Sequence, residues 1–250
     1  MRLAPLAAFV LGAVVGSFLN VVITRLPRRE SLVTPASRCP TCGVPIRWSD
    51  NVPLLSYLWL KGRCRACRSP IGWRYPAVEG LTGVLFALSV AHFGVTPALL
   101  PALLFLSALV ATTAIDLEHQ LIPDRITLPG VAVGILASLV SPRLSWLDSL
   151  LGVVTGGGLF FLVILASRGG MGGGDMKLAA MMGAFLGWKL TLVALFVGVF
   201  SGGVVAVALL VSGRRGRKDP VPFGPFLALG AGLSLFWGDW LLRWYLAGFR

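Results

Sequence analysis

The chain has 250 residues, of which 56% are hydrophobic and only 13% are charged, and its mean hydropathy is +0.83. Soluble domains carry about 25% charged residues, so this composition excludes that class and indicates a multispanning membrane protein. The net charge of +12 is spread over several hydrophilic loops, which disfavours a nucleic-acid-binding protein. We expect these loops to contact anionic membrane lipids instead.

Apolar runs near the length needed to cross a bilayer, about 20 residues, recur along the chain. They predict an all-α polytopic membrane protein with about eight transmembrane helices, at 3–24, 77–95, 97–115, 126–141, 147–167, 176–188, 189–211 and 222–247. The sixth and seventh runs are adjacent, so the chain must turn back at Gly187-Trp188-Lys189. The first run lacks a small-x-small cleavage site before Asn20 and is predicted to be a retained anchor.

Lys and Arg residues are distributed unevenly among the predicted loops, and this bias predicts the orientation. With the N-terminus outside, the loops at 25–76, 116–125, 168–177 and 212–221 are cytosolic and hold 17 of the 22 Lys and Arg residues. Residues 25–76 are then a cytosolic domain inserted between the first helix, 1–24, and a membrane core, 77–250.

All four cysteines lie in this cytosolic segment, in the pairs Cys39-Pro40-Thr41-Cys42 and Cys64-Arg65-Ala66-Cys67. A two-residue gap lets both thiolates of a pair reach one ion, and two pairs supply the tetrahedral sulfur set that zinc prefers. We predict a structural Zn²⁺ site that stabilises a domain poor in apolar residues. Two disulfides are the alternative, which a reducing cytosol disfavours.

Two aspartates mark the ends of hydrophobic runs in a chain with only ten acidic residues. Asp116 lies in Ala114-Ile115-Asp116-Leu117-Glu118, and Asp175 ends the glycine run of 169–175. Ionisable residues near membrane depth are costly and usually functional. Two adjacent carboxyl groups that share a proton can activate water and protonate a substrate, and glycines permit close approach of an extended peptide.

This pattern predicts an intramembrane aspartyl protease with Asp116 and Asp175 as catalytic residues. Three glycines would form its substrate-binding loop, namely Gly172, Gly173 and Gly174. Other interpretations of the same residues stay open. Asp175 also fits the N-cap of the helix that follows, and Asp116 fits a loop after a helix. The glycine run resembles a phosphate loop, although it lacks the G-K-[ST] ending.

At these residues the chain resembles the bacterial type IV prepilin peptidases, also called prepilin leader peptidase/N-methyltransferases, over almost its whole length. The matching motifs are Gly16-Ser17-Phe18-Leu19-Asn20, the paired Cys-x-x-Cys knuckles, Asn51-Val52-Pro53-Leu54, Arg74-Tyr75-Pro76-Ala77-Val78-Glu79, the Asp116 segment, Gly172-Gly173-Gly174-Asp175 and Pro222-Phe223-Gly224-Pro225-Phe226. One departure is Thr24, where members often carry His.

The resemblance implies a bifunctional enzyme of the bacterial inner membrane. It would cleave the basic leader of prepilins or pseudopilins at the cytosolic membrane face, using a water that Asp116 and Asp175 activate. It would then N-methylate the new N-terminal residue with S-adenosylmethionine. Residues 25–76 are the part tied to methylation, and Asp50, Gly62 and Glu79 are the candidates for binding the methyl donor.

Two other classes of function are the alternatives. A non-enzymatic docking or assembly factor for pilus or secretion systems would need neither aspartate. A small-solute transporter would use midplane charges and paired half-helices, whereas these acids are predicted to lie at one membrane edge.

Overall fold

The computed structural model describes residues 3–141, 143–166, 172–213 and 221–248. Within these residues the chain forms eight α-helices, and the segment 26–73 also contains a short 3₁₀ turn at Trp48–Asn51 and two isolated β-bridges. The helices are α1 (Leu3–Arg25), α2 (Leu55–Trp59), α3 (Arg74–Phe93), α4 (Leu99–His119), α5 (Asp124–Val140), α6 (Trp146–Ala166), α7 (Gly173–Val211) and α8 (Gly224–Ala247). The all-helical fold is as predicted.

Six helices of the described part of the chain are long and apolar enough to cross a membrane, namely α1, α3, α4, α6, α7 and α8. The protein is therefore a multi-pass membrane protein. This count differs from the predicted eight in two places. Helix α5 has only 17 residues and contains Pro129, and the predicted spans at 176–188 and 189–211 are joined in α7, a 39-residue element with non-helical φ and ψ at Gly187.

Helix α7 reverses direction at Gly187, which has φ 72° and ψ 169°. The contacts of Gly156 on α6 show the reversal. A Cβ on Gly156 would overlap the carbonyl oxygen of Ala179 and would lie 3.3 Å from Cγ2 of Thr191. Twelve residues of straight helix span about 18 Å, so Ala179 and Thr191 can share one neighbour only if the chain folds back between them.

The chain divides into two compact units, Met1–Leu99 and Leu100–Arg250. In the first unit α1 packs against α3, and the cysteine-bearing segment connects these two helices. In the second unit α7 packs against α5, α6 and α8. Helix α4 contacts α7 through stacked rings of Phe105 and Phe185, whose centroids are 4.6 Å apart.

The α6–α7 contact in the second unit depends on Gly152, and its contribution can be measured. A Cβ at Gly152 would overlap the carbonyl of Gly183, whereas a Cβ at Gly158 on the same helix has open space around it. We expect Gly152→Val to destabilise the protein by about 1–3 kcal/mol or more, because the two backbones must separate. Gly158→Val should change stability by less than about 0.5 kcal/mol. Thermal unfolding in detergent compares the two variants, and equal losses of stability would contradict this packing.

Candidate active site and metal centre

Asp116 lies in the last turn of α4 and is buried, with 5% of its surface exposed. Its Oδ2 accepts a hydrogen bond of 2.9 Å from the backbone N–H of Gly224, the first residue of α8. The first N–H groups of a helix have no partner inside that helix, and the positive end of the helix dipole favours a negative group. The start of α8 therefore holds the Asp116 carboxylate in place.

Gly224 is a site residue to which the sequence analysis gave no role. A Cβ on Gly224 would lie only 2.8 Å from Oδ2 of Asp116, so a side chain here would displace the carboxylate. A signal was present in the sequence, because Pro is favoured in the first turn of a helix and Pro225 occupies that place. The Gly224-Pro225 pair thus indicates the start of a helix, where the backbone N–H groups have no partner within the helix. It does not indicate that Asp116 accepts the hydrogen bond from Gly224.

Asp175 lies in the first turn of α7, which Gly172 precedes as the N-cap residue. The alternative that Asp175 is itself the N-cap is therefore wrong. The carboxyl group of Asp175 is within electrostatic range of Asp116. The structure thus brings together the two aspartates that the sequence analysis selected, although 59 residues separate them in the chain.

The three glycines of the predicted loop have different surroundings. A Cβ on Gly174 would lie 2.9 Å from Cβ of Ile122, in the segment between α4 and α5. Gly174 therefore lets the first turn of α7 lie against the chain that follows Asp116. Gly172 and Gly173 are exposed, and Gly169 and Gly170 of the same run lie outside the described residues.

An ion pair links the first turn of α7 to the start of α5. Nζ of Lys177 lies 2.7 Å from each carboxylate oxygen of Asp124. Both side chains are partly exposed, and such surface pairs contribute about 0–1 kcal/mol. This ion pair therefore adds little stability. It does link the start of α5 to the part of α7 that carries Asp175, because Lys177 follows Asp175 by two residues.

In the first unit the four cysteines form a cluster. Their Sγ atoms all lie within 4.8 Å of one another, and those of Cys39 and Cys67 are 3.8 Å apart. Zinc–sulfur bonds of about 2.3 Å in a tetrahedron place the sulfurs about 3.8 Å apart. All four cysteines are free, so the disulfide alternative is wrong, and the donor set fits a zinc ion.

The two Cys-x-x-Cys knuckles have the same backbone geometry. The N–H of Cys39 donates to the carbonyl of Val44 at 3.0 Å, and that of Cys64 donates to Ser69 at 2.8 Å. The residue after the second cysteine has positive φ in both, 71° in Gly43 and 59° in Arg68. Repetition of this turn brings the two sulfur pairs to one point.

Hydrogen bonding separates the acidities of the thiols. Bonds from the backbone of Cys42 and Thr41, with the Ser69 hydroxyl, lower the pKa of Cys39 to about 6. In Cys42 a hydrogen bond from the Val44 backbone lowers the pKa. Desolvation and hydrogen bonds with the other three thiols outweigh this effect and raise the pKa of Cys42 to about 11. Adjacent thiolates repel, so a cation is needed before all four sulfurs ionise.

A cavity of about 420 Å³ lies beside this cluster in the first unit. Asp50 and Glu79, two of the three candidates for binding a methyl donor, line it, and Gly62 is not among its lining residues. Gly62 has φ 66° and packs against the Tyr57 hydroxyl, 3.1 Å from the position of a Cβ. Its surroundings are those of a turn residue.

Asp50 at the cavity wall is already engaged by Arg65. Nε of Arg65 donates to both carboxylate oxygens, at 3.1 and 2.9 Å, and Nη2 donates to Oδ1 at 2.6 Å. This bonding is the main reason that the pKa of Asp50 lies below its ordinary value.

The fold and this site define a multi-pass helical membrane protein with a carboxyl pair in one unit and a four-cysteine centre in the other. Two family descriptions match the chain, the Bacterial Peptidase A24 N-terminal domain at residues 10–93 and the Type IV leader peptidase family at residues 103–207. No solved structure matches the chain significantly.

Several curated relatives are similar over nearly the whole chain, and each is described as a prepilin leader peptidase/N-methyltransferase. The protein of Aeromonas hydrophila is 38% identical, covering 96% of this chain and 93% of its own. That of Pseudomonas aeruginosa is 38% identical, with 98% and 95% covered. That of Bacillus subtilis is 36% identical, with 95% and 96% covered.

The chain belongs to the type IV leader peptidase family of peptidases and N-methyltransferases. The resemblance identified in the sequence and the predicted enzyme class are thereby confirmed.

Gly224 offers a test of the geometry around Asp116. We expect Gly224→Ala to reduce leader cleavage by about 100-fold, because the new Cβ pushes Asp116 from its position and small displacements in an active site are costly. Gly232→Ala is the matched control on the same helix, where a Cβ has open space. The rates are measured with purified protein in detergent on a prepilin-type substrate. A Gly224→Ala variant as active as the control would show that this contact does not matter for cleavage.

Proposed function

We propose that this protein removes the basic leader of prepilins or pseudopilins with Asp116 and Asp175 as its catalytic pair. The observation that carries the proposal is that two carboxyl groups, from α4 and α7, lie close enough to interact electrostatically, and that the N-terminal amide of α8 holds one of them. A pair of carboxyl groups that shares one proton contains both an acid and a base.

Hydrolysis follows from that shared proton. The ionised carboxylate takes a proton from water, and the water oxygen bonds to the carbonyl carbon of the scissile peptide. The protonated partner donates to the carbonyl oxygen. The tetrahedral intermediate then collapses: the C–N bond breaks, the leaving nitrogen takes a proton from one carboxyl group, and the other carboxylate takes the proton of a hydroxyl group as the new C=O forms. The pair is left with one shared proton, as at the start. Because the two groups titrate together, the proton belongs to the pair and not to either aspartate.

For the topology, we propose eight spans in the bacterial inner membrane with the N-terminus outside. The reversal of α7 at Gly187 supports counting that helix as two spans, and α5 supplies the remaining short one. The excess of Lys and Arg in the loops of 25–76, 116–125, 168–177 and 212–221 supports their cytosolic location. Asp116 and Asp175 then lie at the cytosolic boundary, where a basic leader stays in water while the hydrophobic part of the substrate enters the bilayer.

For N-methylation, we propose that S-adenosylmethionine binds in the cavity of the first unit. Its volume, about 420 Å³, is in the range of small-molecule sites, about 300–1,000 Å³, and Glu79 provides a buried charged group on its wall. The bound donor would supply an electrophilic methyl group. Asp50 and Glu79 are the candidates for contacts there, and Gly62 would act only through the turn that it forms.

We also propose that Cys39, Cys42, Cys64 and Cys67 bind one structural Zn²⁺. Four protein ligands leave no open coordination position for a substrate. The ion would therefore fix the shape of residues 25–76 and not take part in either reaction.

The catalytic pair is tested by Asp116→Asn and Asp175→Asn, which keep the side-chain size but cannot share a proton as two carboxyl groups do. We expect each variant to lose leader cleavage by more than about 1,000-fold, as for removal of members of other catalytic groups. Asp239→Asn, which changes an exposed carboxylate of the same unit, should cleave like the wild type. Mass spectrometry of a prepilin-type substrate provides the measurement. Wild-type rates in either dyad variant would exclude this mechanism.

Elemental analysis of the purified protein tests the metal centre. We expect one zinc per chain, loss of the metal in Cys67→Ser, and retention in Thr41→Ser, which lies inside the first knuckle. Chelation should make residues 25–76 more susceptible to proteolysis, because a small segment with few apolar residues depends on its metal for a fixed shape. Circular dichroism should show the membrane helices unchanged. Full zinc content in Cys67→Ser would contradict the four-cysteine site.

A further inference from the structure

Helices α1 and α3 are in close contact at the level of Glu79. A Cβ on Gly16 would lie only 2.7 Å from the Cα of Glu79, so the two backbones touch there. Glu79 is 8% exposed, and it lines the cavity of the first unit. The mechanism of leader cleavage does not use this buried carboxylate, and a charge in such surroundings requires compensation.

The Glu79 carboxylate is held in position by an unusual backbone conformation. Its Oε2 accepts a hydrogen bond of 2.8 Å from the N–H of Leu54, which has φ 61° and ψ −48°. A positive φ is rare for a branched residue, and such strain persists only where the surroundings fix it. The Ser17 side chain is a second partner. A carboxylate offers about four acceptor positions, so capacity for a further donor remains.

Asn20, one helical turn beyond Gly16 on α1, also lines the cavity. Its Nδ2 donates to the carbonyl oxygens of Gly16 and Tyr75, at 3.3 and 3.1 Å. The reversed amide would set Oδ1 against two carbonyl oxygens, so this bonding assigns the orientation. Oδ1 is buried without a partner among the described residues. A buried acceptor left unpaired is costly, so a ligand that brings a donor to this oxygen would be favoured.

We propose that Glu79 and Asn20 bind the primary ammonium group at the new N-terminus of the cleaved substrate, and that Glu79 accepts its proton before methyl transfer. A carboxylate and an unpartnered amide oxygen complement a cation that carries three N–H donors. The inference rests on the proposed function, in which the methyl donor binds in the same cavity.

Methyl transfer begins with loss of a proton from the substrate nitrogen. The ammonium group transfers one proton to the Glu79 carboxylate and becomes a neutral amine. The nitrogen lone pair bonds to the methyl carbon of the sulfonium donor and displaces a neutral thioether, which keeps the electron pair of the broken C–S bond. The positive charge returns to nitrogen as a secondary ammonium group.

S-adenosylmethionine also carries an ammonium group, so the same oxygens could hold the donor instead, and the experiment distinguishes these two ligands. The variant is Glu79→Gln, because a glutamine amide oxygen can still accept the Leu54 N–H and only the charge is lost. Glu30→Gln is the matched control, since Glu30 is an exposed carboxylate of the same unit outside the cavity.

Three quantities are measured for each protein. The first is the affinity, without methyl donor, for a short peptide that begins with Phe, compared with the same peptide N-acetylated. The second is the affinity for S-adenosylmethionine by equilibrium dialysis. The third is the rate of N-methylation of a substrate whose leader has already been removed.

We expect the wild type to bind the free-amine peptide at least about tenfold more tightly than the acetylated one, since hydrogen bonds to charged groups are strong. Glu79→Gln should lose this preference and methylate at least about tenfold more slowly, while its donor affinity stays unchanged. Glu30→Gln should match the wild type in all three measurements.

Two results would overturn the inference. One is a Glu79→Gln variant that keeps the preference for the free amine or methylates at the wild-type rate. The other is a fall in donor affinity in proportion to the methylation rate, which would mean that Glu79 holds the donor. A wild type that binds no S-adenosylmethionine would instead refute the proposed donor site, and the peptide comparison would still decide the role of Glu79.

Discussion

A carboxylate buried among apolar helices needs a hydrogen-bond donor, because an unpaired charge in a low-dielectric interior is costly. In each unit the donor is a backbone N–H at the start of a helix, Gly224 of α8 for Asp116 and Leu54 before α2 for Glu79. A backbone amide is uncharged, so it holds a carboxylate without forming an ion pair. Both acids therefore keep their capacity to accept a proton.

Features that depend on local spacing could be predicted from the sequence. The Cys-x-x-Cys pairs predicted the cluster, because a two-residue gap leaves the two sulfurs of a pair little freedom. The apolar run at 3–24 predicted α1, which spans Leu3–Arg25. Charge bias and the predicted spans favoured one side of the membrane for both Asp116 and Asp175, which allows their proximity without requiring it.

Features that depend on tertiary contacts could not be predicted in this way. Gly224 lies 108 residues from Asp116, and its contribution is a backbone amide, which every residue except proline has. Leu54 likewise acts through its N–H and its positive φ, and nothing in a leucine side chain indicates either.

The chemistry of the substrate nitrogen imposes an order on the two reactions. Before cleavage this nitrogen belongs to a neutral peptide bond with one N–H, and its lone pair is delocalised into the carbonyl. After cleavage it becomes a primary ammonium group with three donors and a positive charge. A site made of the Glu79 carboxylate and the Asn20 amide oxygen can distinguish these two forms by charge alone. Selection of the cleaved substrate would then require no signal from the carboxyl pair of the other unit, because cleavage itself creates the group that the methylation site recognises.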